Sequence, residues 1–156
     1  MDFPGNDPHP VEPPEKALEA LNLPSYEEVQ YSDTNQKLLV LLDSEEAVAE
    51  LRPDFDAFLA AENPLGWRGA IVTARSSGSY DFVSRFFAPF MGINEDTVTG
   101  SAHTVLAPYW AERLGKSKMR AYQSSEWGGE MTVDLDDDRV YIMGKAVTVV
   151  VGTLYY

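Results

Sequence analysis

Between Thr99 and Leu114 the chain carries a segment that is apolar around most of a helical circumference. Ala102, Val105, Leu106, Tyr109, Trp110 and Leu114 form a wide sector with Ala107 among them, and only Glu112, Arg113 and the polar start call for water. Gly115 stands where a glycine ends a helix. A helix this apolar needs cover on more than one side. The residues that follow switch to period two, giving strand candidates at Met119–Ser124, Glu130–Leu135, Arg139–Met143 and Ala146–Leu154. The breaks between them, Gly128-Gly129, Asp136-Asp137-Asp138 and Gly144-Lys145, are hairpin signals. Strands on both sides of such a helix imply an α+β fold of mostly antiparallel strands, with the sheet wrapped around a central helix.

Upstream, five prolines (Pro4, Pro8, Pro10, Pro13 and Pro14) fall within the first 14 residues. That density forbids a helix or a central strand and predicts an extended arm over residues 1–15, followed by one domain over 16–156. Residues 1–30 carry seven acids against Lys16 alone, a solvated balance of −6. Pro13-Pro14 opens a short helix with Ala17, Leu18 and Leu21 at helical spacing. The run Leu38–Leu42 reads as a buried strand, Ser44 as the start of a helix reaching Leu51, and Pro53-Asp54-Phe55 as the start of another. Ala70–Ala74 and Asp81–Phe87 are strand-like.

The balance of charge excludes several functions. Twelve Lys and Arg against 25 Asp and Glu leave a formal charge of −13. Phosphate contacts need a basic face, so a nucleic-acid partner is not expected, and neither is docking on an anionic membrane. The absence of cysteine removes disulfides, thiolate metal sites and a Cys nucleophile. No apolar run is long enough to span a bilayer and the first residues lack signal-peptide character, so a cytoplasmic domain is expected.

One stretch carries chemistry. Glu95-Asp96-Thr97-Val98-Thr99-Gly100-Ser101-Ala102-His103 leads into the apolar helix. The first N–H groups of a helix have no internal partner and carry positive partial charge, so a substrate carboxylate can sit on the amides near Gly100 and Ser101. The Ser101 hydroxyl adds a donor, Gly100 leaves room, and Asp96 is placed to bind a substrate hydroxyl or amine or to exchange a proton. The alternative is structural: Asp96 or Thr99 caps the helix and Ser101 fills a small space. His103, in mid-helix on an apolar background, has no second histidine nearby with which to form a metal site. The acidic run Asp134–Asp138 lacks the glycine of a calcium loop and reads as a solvated turn.

The residues Asp81-Phe82, Ser84-Arg85-Phe86-Phe87-Ala88-Pro89 and Glu95 to His103 closely resemble the PhzF-like (phenazine-biosynthesis-like) isomerase family. The likeness continues through Tyr109-Trp110, Leu114-Gly115-Lys116, Gln123-Ser124, Gly128-Gly129 and Gly152-Thr153-Leu154, spanning about Leu38 to Leu154. It implies a diaminopimelate-epimerase-like half, a central helix in a β-barrel, corresponding to the C-terminal half of a two-half enzyme whose site lies between the halves. By that likeness Asp96 and Ser101 match the half-site's catalytic or substrate-binding pair. Gly100 belongs to the amide cradle, and Thr99, His103, Gly128 and Gly129 match substrate-binding positions. The family works on small carboxylic acids without a cofactor or metal. Its Ser-Glu-Thr and Cys-Gly-His-Ala-Thr motifs, which belong to the other half, do not occur here. Thr97 replaces the usual proline, and Trp127 stands where arginine commonly precedes Gly-Gly.

Two readings follow. In the first, the chain is a cofactor-independent isomerase that completes its site with a second copy, as a homodimer, or with a separate N-terminal-half partner. In the second, it is a non-catalytic binding or interaction module with an exposed apolar face where the other half would pack.

Overall fold

The computed structural model describes residues 1–154; Tyr155 and Tyr156, the end of the expected 16–156 domain, lie outside the described residues. Two short strands, β1 (Asp2–Pro4) and β2 (His9–Pro10), precede helix α1 (Glu15–Ala20). Strands β3 (Glu28–Ser32) and β4 (Lys37–Leu41) lead to helices α2 (Glu45–Glu50) and α3 (Phe55–Ala60). Then come β5 (Gly69–Arg75), β6 (Phe82–Ala88), β7 (Ile93–Glu95), the long helix α4 (Gly100–Leu114), β8 (Lys118–Gln123), β9 (Gly129–Asp136) and β10 (Arg139–Met143).

All ten strands join one curled, mixed sheet in the order β1-β10-β9-β8-β6-β5-β4-β3-β2, with β7 beside β6. Most neighbours are antiparallel, but β4–β5 and β6–β8 are parallel pairs that hairpin signals cannot reveal. Each parallel pair needs a crossover, supplied by α2 and α3 in the first case and by α4 in the second.

The sheet is buried on both faces along its middle. Leu38, Val40, Val72, Val83 and Phe87 join the core beneath α1, α2 and α3. Leu39, Ile71, Phe82, Phe86, Met119, Val133, Val140 and Ile142, from six strands, meet the buried side of α4. This two-sided burial is why Leu38–Leu42 reads as a continuous apolar run and not an alternation. Two of the three short helices are capped by their sequence: for α2, Ser44 Oγ accepts from the Ala47 N–H at 3.1 Å, and for α3, Asp54 Oδ1 from the Ala57 N–H at 2.9 Å.

The proline segment is extended and supplies the outermost strand at each end of the sheet. It is also tied to α4. Pro108 inside α4 has no N–H to give the Thr104 carbonyl, and the Asn6 backbone N–H donates to that carbonyl instead, at 3.0 Å. The Asn6 side chain adds a bond to Thr104 Oγ1 at 3.0 Å.

One expected strand is absent. Ala146–Leu154 forms no strand and its apolar side chains are exposed. A strand needs a partner, and β10 already pairs with β9 on one side and β1 on the other. Among the described residues no helix is long and apolar enough to cross a membrane.

Candidate functional site

The loop from β7 into α4 is fixed at several points. The Asp96 N–H donates to the Phe86 carbonyl at 3.1 Å. The Asp96 carbonyl accepts from Gln123 Nε2 at 2.7 Å. Gln123, fully buried on β8, also accepts the Thr99 N–H on Oε1 at 2.8 Å, and its Nε2 donates to Thr99 Oγ1 at 3.1 Å. The Thr99 hydroxyl in turn donates to Asp96 Oδ2 at 2.7 Å. Thr99 is the residue before α4, yet its side chain makes no capping bond, and among the described residues no side chain caps the helix. The capping alternative therefore does not hold: Asp96 binds a hydroxyl, and the first amides of α4 have no side-chain acceptor among the described residues.

One residue earlier, Glu95 forms a two-pronged ion pair with Arg85 of β6, Nε to Oε1 at 2.7 Å and Nη2 to Oε2 at 2.9 Å. Arg85 Nη1 donates to the carbonyls of Val48, Ala49 and Leu51 at the end of α2. The guanidinium thus holds both the helix behind it and the loop that carries Asp96.

Gly100 opens onto a cleft of about 790 Å³ whose wall also holds Val98, Gly128, Gly129, Met131 and Ile142. Gly128 is needed there for its backbone, and Gly129 for the close approach of Val98. Gly128 adopts φ +66, and a Cβ on it would fall 2.0 Å from the Tyr122 hydroxyl; a Cβ on Gly129 would fall 2.3 Å from a Val98 methyl. Two cations, Arg120 and Lys145, and one acid, Glu130, share the cleft. Tyr80 stacks on Tyr122 at 5.2 Å and donates to Glu130 at 2.5 Å, a bond that holds the Glu130 carboxyl below its usual range. Arg120, Lys145 and Tyr80 escape sequence reading. The outward alternation of Lys118, Arg120 and Tyr122 on β8 is the one pattern that could have flagged Arg120.

The structure therefore gathers Gly100, Gly128 and Gly129 in one wall, while Asp96, Thr99, Ser101 and His103 lie outside the cleft lining. Ser101 is exposed on the first turn of α4, and its carbonyl accepts from Asn35 at 3.1 Å. Thr99 is buried, and its carbonyl and side chain are engaged internally. His103 is fully buried against the Phe82 ring, under the first turn of α4 and not in the cleft wall.

His103 Nδ1 lies 2.8 Å from the Thr99 carbonyl, which can only accept, so Nδ1 carries the proton and Nε2 is left bare. Nε2 has no hydrogen-bond partner among the described residues. Burial lowers the His103 pKa from 6.5 to about 4. Above pH 6.5 the ring is neutral in folded and unfolded chain alike, and stability is untouched. As pH falls from 6.5 through about 4 only the unfolded chain gains the proton, so stability should drop progressively by about 3 kcal/mol. Urea unfolding at pH 7 and pH 4 checks this: His103→Phe should flatten that component, and an unchanged pH slope in the variant would refute the assignment.

Comparison with known proteins now decides the family. Residues 2–152 match the phenazine biosynthesis-like protein family, PhzC-PhzF. The chain belongs to that family. A Pseudomonas aeruginosa protein described as an uncharacterized isomerase is 51% identical over 154 residues, covering 99% of this chain and 56% of the relative. The human phenazine biosynthesis-like domain-containing protein is 41% identical over 137 residues, covering 82% of this chain and 48% of its own. A crystal structure of an Enterococcus faecalis PhzF-family phenazine biosynthesis protein matches with TM-score 0.77 at 40% identity, over 91% of this chain and 52% of that one. A crystal structure from Clostridium difficile matches with TM-score 0.84 at 38% identity, over 100% of this chain and 57% of that one. The phenazine biosynthesis-like chain thus spans about half the length of the relatives it matches.

Proposed function

We propose that this chain is the C-terminal-type half of a phenazine biosynthesis-like isomerase that shifts a proton on a small carboxylic acid without a cofactor. The observation that carries the reading is the uncapped N-terminus of α4 opening at Gly100 onto a cleft that holds Arg120 and Lys145 in a chain of net charge −13. The substrate carboxylate sits on the amides of Gly100 and Ser101, where the helix dipole and the two cations favour it. The Ser101 hydroxyl and the backbone of Gly128 and Gly129 complete the cradle. Asp96 exchanges the proton, with the Thr99 hydroxyl setting its orientation; His103 acts from below by holding the Thr99 carbonyl. A second half, from a second copy or a partner chain, closes the cleft in the manner of epimerase-like two-half enzymes and supplies the opposing acid or base.

A second reading is favoured by one observation, that Asp96 does not line the cleft. In it the chain binds a small acid and catalyses nothing.

The deciding experiment incubates the protein in D2O with small hydroxy and amino acids and follows the substrate C–H signal by NMR, beside light scattering over a concentration series. The isomerase reading expects signal loss in the assembled form, above the 17.3 kDa monomer. Ligand-induced shifts with no loss of the C–H signal would favour the binding module.

A further inference from the structure

Three buried side-chain atoms have no hydrogen-bond partner among the described residues: Trp67 Nε1, Ser84 Oγ and His103 Nε2. Trp67 stands by itself in the core beneath α1, α2 and α3. The other two belong together. Side chains of β6 alternate, with Val83 and Phe87 in the core on the α2 side and Phe82 and Phe86 in the core around α4, so Ser84 points to α4. Ser84 pairs with Thr73 of β5 on one side and Gln123 of β8 on the other, and the three make a polar row across the sheet under the helix.

Both ends of the row reach α4. Thr73 Oγ1 accepts from Trp110 Nε1 at 3.0 Å, and Gln123 Oε1 accepts the Thr99 N–H at 2.8 Å. His103 lies between Thr99 and Trp110 along the helix. Its ring stacks on Phe82, two residues before Ser84 on the same face, at 6.0 Å, and Phe82 stacks on Trp110 at 5.6 Å. The helix side thus runs Thr99, His103, Trp110 over the sheet side Gln123, Ser84, Thr73. The outer pairs are bonded. In the middle the shortest side chain of the row, a serine, stops short of the imidazole.

We infer that one ordered water bridges Ser84 Oγ and His103 Nε2, and that Ser84 is thereby a positioning residue for the loop carrying Asp96. A hydroxyl both donates and accepts, whereas the bare imidazole nitrogen only accepts. A water that accepts the Ser84 O–H and donates to Nε2 has the two polar partners a buried water needs, and it relieves two atoms that are costly to leave dry. A donor at Nε2 fixes the ring proton on Nδ1, which holds the Thr99 carbonyl at 2.8 Å. The Thr99 hydroxyl in turn donates to Asp96 Oδ2 at 2.7 Å. The water site concerns where this loop sits and does not rest on the isomerase reading.

NMR on this chain at pH 7, where the His103 ring is neutral, tests it. Wild type should show cross-peaks from a long-lived water to the His103 ring and to Ser84, with the Nε2 15N resonance at the position of an accepting nitrogen. Ser84→Ala should abolish the cross-peaks, move that resonance to the position of a bare nitrogen, and speed exchange of the Asp96 and Thr99 amides about fivefold, the worth of one hydrogen bond. Ser84→Thr keeps the hydroxyl and should restore all three. His103→Phe should remove the cross-peak to Ser84, an independent reading should Ser84→Ala not fold. An accepting Nε2 without a water cross-peak overturns the inference in favour of a direct bond from Ser84. Cross-peaks that survive Ser84→Ala overturn it by placing the water elsewhere, and unchanged exchange at Asp96 and Thr99 overturns the positioning role.

Discussion

Asp96→Asn should slow substrate C–H exchange by about 10²–10⁴-fold if Asp96 exchanges the proton as proposed, the range typical of losing one general acid or base. Asparagine is the informative choice because nearly everything else at the site survives it. The amide oxygen can still accept the Thr99 hydroxyl that the carboxylate accepts at 2.7 Å. The two main-chain bonds of residue 96, to the Phe86 carbonyl and from Gln123 Nε2, do not involve its side chain. Stability should therefore stay within about 0.5–1 kcal/mol of wild type, while the group that can exchange a proton is gone. Thr99→Val makes the complementary test. It removes the hydroxyl that orients the carboxylate but keeps the carboxylate itself, so the rate should fall less than in Asp96→Asn. Equal rates for Asp96→Asn and wild type would remove Asp96 from the chemistry and leave the cleft as a binding site.

How much of this was legible in the sequence depends on whether a residue's role is local. α4 was legible because a wide apolar sector from Ala102 to Trp110 has no surface solution, and Gly115 closes it with φ +65. β8, β9 and β10 were legible because their residues alternate between inside and out. β3 was not: Glu28-Val29-Gln30-Tyr31-Ser32 has two apolar residues, and it is a strand because β4 lies beside it. The two parallel pairings were invisible for the same reason, since register across a crossover is set by packing and not by turn residues. Ala146–Leu154 shows the reverse error, where propensity promised a strand and no edge in the chain receives it.

At the site the distinction recurs. Gly100, Gly128 and Gly129 were found as glycines at suggestive places and do converge on one cleft. Gln123 was noticed without a role, because a polar residue at an inward strand position reveals nothing of its partners until Thr99 and Asp96 fold against it. His103 reads from the sequence as a mid-helix residue on an apolar background, and its placement beneath Thr99 follows from the i, i+4 return of the helix.

Arg85→Met should be the most destabilising single change at the site, costing about 3–5 kcal/mol, because it strands a partly buried carboxylate. Arg85 itself is 8% exposed. Both Glu95 oxygens lose their donors, and so does the Val48 carbonyl, while those of Ala49 and Leu51 keep only Arg52 Nη1, at 3.4 and 2.8 Å. That helix has no glycine at its end, and Leu51 turns away at ψ 139, so nothing in the chain's own backbone replaces the arginine. Methionine keeps the length and the contact over the Phe87 ring, where the guanidinium now sits 4.8 Å from the centroid, so the loss measures hydrogen bonds and charge and not a cavity. Adding Glu95→Leu should recover part of the loss, since no unpaired charge then remains; what persists, about 1–3 kcal/mol, belongs chiefly to the Val48 carbonyl. Urea unfolding of the two single variants and the double variant separates these contributions. If Arg85→Met alone cost less than about 1 kcal/mol, the pair would be an ordinary surface ion pair and the anchor for the Asp96 loop would lie elsewhere. The ordering expected here makes the pair a positioning device. Its net stabilisation is modest once both partners are gone, but while it stands the loop carrying Asp96 has a single place to be.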